Sequence, residues 1–445
     1  MRNNAAPLYD ALAALAGQRP LRMHMPGHKG KLPFAPWLEA AAPLDFTELT
    51  PTGDLFAGDG PIRAAEDLWA EVFHLPRCLF LTGGSTQGIH TALTLACQPG
   101  ERVLVDRGCH RSVYHALALL DLRPVYLPRP WLAEAGVTGP IPPEDVDARL
   151  TEFADIKTVC ITSPTYYGIL SDIPALAEVV HRHGGTLVVD GAHGAHLPFL
   201  GVDHLSRADL AVVSAHKTLP ALGQTALLLA GAPYAHRSLR RAGSIFGTSS
   251  PSYVLMASLD VCRSWMEGPG GADYRRTAEH VRRLRTALPA LNEGISPLDP
   301  TRLTVHTPDG FAAQRTLEGQ GVFVEMAGRG HLVCILTCMD TPEDLSRLES
   351  ALGALPLGGE PLSLPAPPPV PPQVLTPRQA LFGPREVLPL EQAIGRVCAQ
   401  QVAPYPPGIP VIAPGERVEK KTVAYLDRIG YNRVEAIETV PPMFG

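Results

Sequence analysis

The sequence predicts an α/β fold: a mainly parallel sheet covered by helices on both faces, followed by a smaller α+β region. Three observations carry this reading. Short apolar runs recur at 78–82 (CLFLT), 102–106 (RVLVD), 158–164 (TVCITSP), 186–190 (TLVVD), 210–214 (LAVVS) and 225–230 (TALLLA). Stretches with helical spacing lie between most of them, as from Ile89 to Ala96 and from Ile173 to His181, and strands alternating with helices make parallel sheets. Beyond about residue 270 the rhythm changes.

In chain order, "PLYDALAALAGQ" sets Leu8, Leu12 and Leu15 on one face of a short helix. Together with the loop "RMHMPGHKGKLP", rich in Gly, Pro and His, it makes an N-terminal helical arm over 1–28. Residues 29–270 form the large domain that holds the strands. Residues 271–354 form the small α+β domain, with an amphipathic helix at 274–291 whose arginines face solvent and strands in "RLTVHT", "GVFVEMA" and "LVCILT". A Pro-rich linker spans 355–373, and a C-terminal segment occupies 374–445.

Composition narrows the function. With 45% hydrophobic and 18% charged residues the chain has the balance of a globular enzyme. A net charge of -6 gives no global basic surface for a nucleic acid. The amino terminus lacks a signal-peptide pattern, and no apolar run approaches the ~20 residues of a membrane span, so a cytoplasmic location is expected. The eight cysteines are scattered without CxxC pairs. They read as reduced core residues, and no metal site is expected.

Function in parallel sheets gathers at the carboxyl ends of the strands. "TGGSTQGIH" (82–90) is a glycine-hydroxyl turn opening a helix, suited to an anion, although Ser85 or Thr86 could simply cap that helix. "DRGCHRS" places His110 in the next loop; "VVDGAHGAHLPF" ends a strand on Asp190 and follows it with His193 and His196; "VVSAHKT" ends a strand on Ser214, His216 and Lys217. Asp190 alone could cap a turn, and the two histidines could be satisfied core residues. As an ordered set, a phosphate cradle, a strand-end carboxylate, a flat imidazole and a strand-end lysine are what pyridoxal 5'-phosphate requires. The lysine forms the Schiff base, and the carboxylate keeps the pyridine nitrogen protonated. Lys29 and Lys31 lie in the early loop, Lys157 precedes a strand, and Lys420 and Lys421 sit in a charged stretch, leaving Lys217 as the candidate.

The motifs "MHMPGHKG" (23–30), "GGSTQGIH" (83–90), "DRGCHRS" (106–112), "SPTYYG" (163–168), "DGAHGAH" (190–196), "SAHKTLPALGQ" (214–224) and "YPPGIPVIAPGE" (405–416) resemble the bacterial-type ornithine/lysine/arginine decarboxylases. These are fold type I pyridoxal phosphate enzymes with an aspartate-aminotransferase-like large domain. The resemblance covers nearly the whole chain, and the length resembles the compact subgroup that lacks the N-terminal regulatory domain. It implies that Lys217 carries the cofactor, that Asp190 pairs with the pyridine nitrogen and that His110 stacks on the ring. Ser85, Thr86, Ser214 and His216 would hold the phosphate, with His193 also at the cofactor and Lys217, His216 or a neighbouring side chain as proton donor. It further implies that the C-terminal segment completes the active site, with Glu416 and Asp54 toward the substrate. The expected partner is a second copy, a homodimer or larger homo-oligomer with the site at the subunit interface. The expected reaction is decarboxylation of a basic L-amino acid, arginine first, giving agmatine for polyamine synthesis, with lysine or ornithine as other substrates. One departure concerns the loop "DFTELTPTGDLFAGDGPI" (45–62): after the acidic-Thr-Glu motif the family usually reads like "GLDDL", whereas this chain has only Asp54 in that neighbourhood before Asp59. The alternatives are a fold type I aminotransferase or carbon–sulfur lyase, and a non-catalytic relative.

Overall fold

A computed structural model describes residues 5–290, 295, 297–358, 366–403 and 410–438. Its centre is a seven-stranded sheet: β1 (Arg77–Leu81), β2 (Arg102–Asp106), β3 (Arg123–Leu127), β4 (Thr158–Thr162), β5 (Thr186–Asp190), β6 (Leu210–Ser214) and β7 (Ala226–Ala230). The strands lie in the order β1-β7-β6-β5-β4-β2-β3. Neighbours from β3 through β6 are parallel, and β7 runs antiparallel to both β6 and β1. β6 and β7 are buried along their whole length, which is why they read as continuous aliphatic runs rather than alternating ones.

All six expected runs fall in this sheet. The seventh strand, β3, is absent from the sequence reading, because Pro124 interrupts its run and its first residue is an exposed arginine. Proline fits there because β3 is an edge strand.

Helix α1 (Pro7–Gly17) buries Leu8 and Leu12. Its first-turn amides have no partner within the helix. The Asp260 carboxylate, fully buried, accepts from Leu8 N at 2.8 Å and Tyr9 N at 3.1 Å, fixing the arm to the helix Tyr253–Trp265. Helices α2 (Gly60–Val72), α3 (Gly84–Ala96) and α4 (Arg111–Leu119) follow.

A second, smaller antiparallel sheet joins β8 (Arg302–His306), β9 (Met326–Ala327) and β10 (His331–Ile335), in the order β8-β10-β9. "GVFVEMA" contributes only the two residues of β9 as strand. The amphipathic helix spans Gly271–Ala287. One arginine departs from its solvated face: Arg285 turns inward and donates from Nη2 to the carbonyls of Asp299, at 2.6 Å, and Arg302. In the C-terminal segment, β11 (Arg385–Pro389) and β12 (Arg433–Ile437) pair antiparallel. Residues 359–365 of the Pro-rich linker and 405–409 of the "YPPGIPVIAPGE" motif lie outside the described residues.

Candidate active site

The ends of β2, β4, β5 and β6 open onto a cavity of about 730 Å³, a size that holds a cofactor with a small substrate. Parallel neighbours end at one edge, so residues far apart in sequence meet there; Thr162 and Asp190 are register partners across β4 and β5. Ser85, His110, Asp190, His193, His216 and Lys217 all line the cavity.

Lys217 is in the short helix Ala215–Thr218 directly after β6. Its Nζ lies 3.2 Å from Nε2 of His193. Burial holds the Lys217 ammonium below its ordinary range, Asp190 opposes that, and Arg302 adds to it. Asp190 ends β5 and is 3% exposed, and its Oδ1 accepts from Ala192 N at 3.2 Å. Burial raises its carboxyl above the usual range while Lys217 pulls it down. A cationic ring nitrogen placed beside this carboxylate would supply the positive partner that burial makes it need.

Helix α3 begins at Gly84, whose φ of +70° suits glycine; Gly83 N donates to Gln87 Oε1 at 3.0 Å and Gly84 N to Gln224 O at 2.9 Å, which leaves the amides of the next residues toward the cavity. Ser85 there hydrogen-bonds Ser214 through their hydroxyls at 2.9 Å. A helix start with two hydroxyls is a cradle for a phosphate. Thr86 lies in the same turn but is not among the cavity-lining residues. His216 donates from Nδ1 to Thr225 O at 2.9 Å, so its Nε2 is the nitrogen left for chemistry.

His110 caps α4: its Nδ1 accepts from Ser112 N at 3.2 Å, which fixes the ring. The residue lines the cavity and is exposed. Desolvation, more than the nearby charges, pushes its pKa down to about 4, which leaves a neutral imidazole at physiological pH. The Tyr166 ring meets His193 edge-on at 4.9 Å. Together these groups fit pyridoxal 5'-phosphate: a lysine amine, a buried carboxylate, flat rings and an anion cradle facing one cavity.

Two expected substrate contacts lie elsewhere. Glu416 is fully buried; its Oε1 and Oε2 accept from Arg107 Nη1 at 2.5 Å and Nη2 at 2.9 Å, and Ala413 N donates to Oε2 at 2.8 Å. Both Glu416 oxygens are thus engaged in an internal ion pair, and Glu416 is not among the cavity-lining residues. Asp54 caps its own loop, accepting from Phe56 N at 2.7 Å and Ala57 N at 3.1 Å, away from the cavity.

The site also contains groups the sequence reading missed. Asp106 at the end of β2 takes a forked bond from Arg129 (2.7–3.1 Å), and accepts from Gly108 N at 2.8 Å and Thr162 N at 3.1 Å. This brace holds the loop that carries His110. Its strand-end position was the available signal. Glu325 lines the cavity and accepts from the Tyr166 hydroxyl. It precedes β9, in a region that periodicity alone does not connect to the large sheet.

Comparisons with known proteins show the family and the fold. The family model described as Orn/Lys/Arg decarboxylase, major domain, matches residues 6–307, and that of the same family's C-terminal domain matches 368–434. An arginine decarboxylase of Bacillus subtilis (strain 168) is 30% identical, over 96% of this chain and 94% of that protein. The constitutive lysine decarboxylase of Escherichia coli (strain K12) is 25% identical, over 96% of this chain and 77% of its own length. The solved structure of the E. coli constitutive lysine decarboxylase superposes with a TM-score of 0.85 at 20% identity, covering 98% of this chain and 82% of the other. A Sphingomonas wittichii serine palmitoyltransferase is similar in fold more distantly, with a TM-score of 0.54 at 17% identity over 66% and 77% of the two chains.

Proposed function

The chain belongs to the Orn/Lys/Arg decarboxylase family, and from that premise we propose that it converts L-arginine to agmatine and CO2 with pyridoxal 5'-phosphate. The observation that carries this reading is one cavity holding the Lys217 amine, the Asp190 carboxylate and, among the described residues, a second carboxylate at Glu325. The relatives' names support arginine over lysine: the arginine decarboxylases match at 28–30% identity and the lysine decarboxylases at 22–25%.

In this proposal Lys217 anchors the cofactor, the α3 start with Ser85 and Ser214 binds its phosphate, Asp190 faces its ring nitrogen, and His110 and His193 flank it. When bound, the cofactor supplies a protonated pyridinium that accepts the electron pair left when the bond from Cα to the carboxylate breaks. Asp190 holds that ring proton. The neutral His110 covers the reacting face without adding a competing charge. Lys217 Nζ or His216 Nε2 returns a proton to the substrate Cα once CO2 has left. Glu325, oriented by Tyr166, meets the guanidinium at the far end of the substrate.

A homodimer belongs to the same proposal. Leu21, Met23, Phe34 and Trp37 are 77–85% exposed within one short segment, apolar surface that a second copy would cover. The eight cysteines, all buried and unpaired, fit a cytoplasmic setting.

The test is product identification. The loaded protein, offered arginine, lysine and ornithine separately, should release CO2 fastest from arginine, with agmatine identified by mass. A clear preference for lysine or ornithine would reassign the substrate. Keto acid formation without CO2 would refute decarboxylation.

A further inference from the structure

Arg302, in β8 of the small sheet, is 1% exposed and lies behind the cavity wall. Its Nη2 is 3.4 Å from Nδ1 of His193, and Nε2 of the same ring is 3.2 Å from Lys217 Nζ. The direction of these bonds is fixed by chemistry. A guanidinium has donors only, so Nδ1 of His193 must be the acceptor. The proton of the neutral ring then sits on Nε2 and points at Lys217, whose nitrogen can accept it only as a free amine.

We propose that Arg302 is a positioning residue for Lys217: it sets the tautomer of His193, and through it keeps the Lys217 amine unprotonated and nucleophilic. An ammonium has no lone pair with which to attack a cofactor aldehyde, so this state is what attachment requires. The proposal rests on Lys217 being the cofactor's anchor.

The rest of the structure seats Arg302 for this task. Asp299, fully buried, places Oδ2 3.9 Å from Arg302 Nε. Asp299 is itself held by His196 Nε2 at 3.0 Å and by Thr301, whose N and Oγ1 lie 2.8 and 3.0 Å from its Oδ1. Arg285 clamps the carbonyls of both Asp299 and Arg302. Burial and Arg302 hold His193 well below its ordinary range, in keeping with a neutral ring. Asp190, Arg302 and Glu325 are the charges that act on Lys217, while Asp299 and His110 act on His193. Arg302 does not itself line the cavity and reaches it through His193, which does.

The experiment follows pyridoxal 5'-phosphate attachment to the full-length chain stripped of cofactor. The rate of appearance of the visible band is measured from about pH 6 to about pH 10, a range spanning ordinary and depressed lysines. Arg302→Met should move the midpoint of the rate profile up by about one pH unit, so that attachment near neutrality slows about tenfold. Arg302→Lys, which keeps a charge and a donor, should restore most of the wild-type profile. His193→Phe, which keeps a ring against Tyr166 but relays nothing, should move the midpoint the same way and serves if Arg302→Met does not fold. A merely structural role would lower the amount of competent protein without moving the midpoint. A wild-type midpoint in Arg302→Met or in His193→Phe would overturn the proposal. Failure of the wild type to give a borohydride-stable adduct at Lys217 would instead overturn the anchor assignment, and the proposal with it.

Discussion

Arg107 and Glu416 form a forked ion pair closed to solvent, with side chains 6% and 0% exposed. Burial raises the Glu416 carboxyl while Arg107 pulls it down. Arg107 also donates from Nε to Pro410 O at 2.9 Å, so the pair ties the end of β2 to the C-terminal segment. Removing one partner of such a pair leaves the other charge buried and alone, at a cost of about 3–5 kcal/mol. Glu416→Gln is therefore expected to lower stability by roughly that amount in chemical denaturation, with a smaller change in substrate KM. An unchanged denaturation midpoint together with a raised KM would return Glu416 to the substrate site.

Glu325→Gln is expected to act on the substrate. Loss of a charge-assisted contact worth about 1.5–3 kcal/mol should raise the KM for arginine about 10- to 100-fold, with kcat changed far less. Steady-state kinetics on arginine check this. A KM within twofold of wild type would remove Glu325 from recognition of the cation.

Asp190→Asn should keep much of the bound cofactor yet lower kcat by about two to four orders of magnitude, since an amide cannot hold the ring proton as a carboxylate does. Cofactor content and turnover are measured on the same preparation. Turnover close to wild type would remove Asp190 from that role.

The strand ends were legible in the sequence for a physical reason. Buried parallel strands need unbroken aliphatic runs, and such sheets gather function at their carboxyl ends, so Asp190, Ser214 and Lys217 could be picked out one run at a time. Arg302 and Glu325 could not. They reach the site from the small sheet, and Arg302 meets a histidine 109 positions away through packing that periodicity does not encode. For Glu416 the motif gives a carboxylate's chemistry but not its partner, which the fold supplies as Arg107.

His204 gives a pH prediction independent of catalysis. It is 6% exposed, and burial pushes its pKa down to about 4 from an ordinary 6.5. The folded state binds this proton less readily than the unfolded chain does. The contribution is therefore fully present above about pH 6.5 and is lost as pH falls toward about 4, by at most about 3 kcal/mol. His204→Phe should flatten the acid limb of the stability profile measured by denaturation at stepped pH. A wild-type acid limb in this variant would contradict the assignment.

The central claim is that Lys217 is the residue that holds the cofactor. Borohydride reduction of the loaded protein, followed by proteolysis and mass spectrometry, tests it most directly. The account predicts a pyridoxyl group on the peptide containing Lys217 and no trapped adduct in Lys217→Ala. An adduct on any other lysine, or undiminished trapping in that variant, would contradict it.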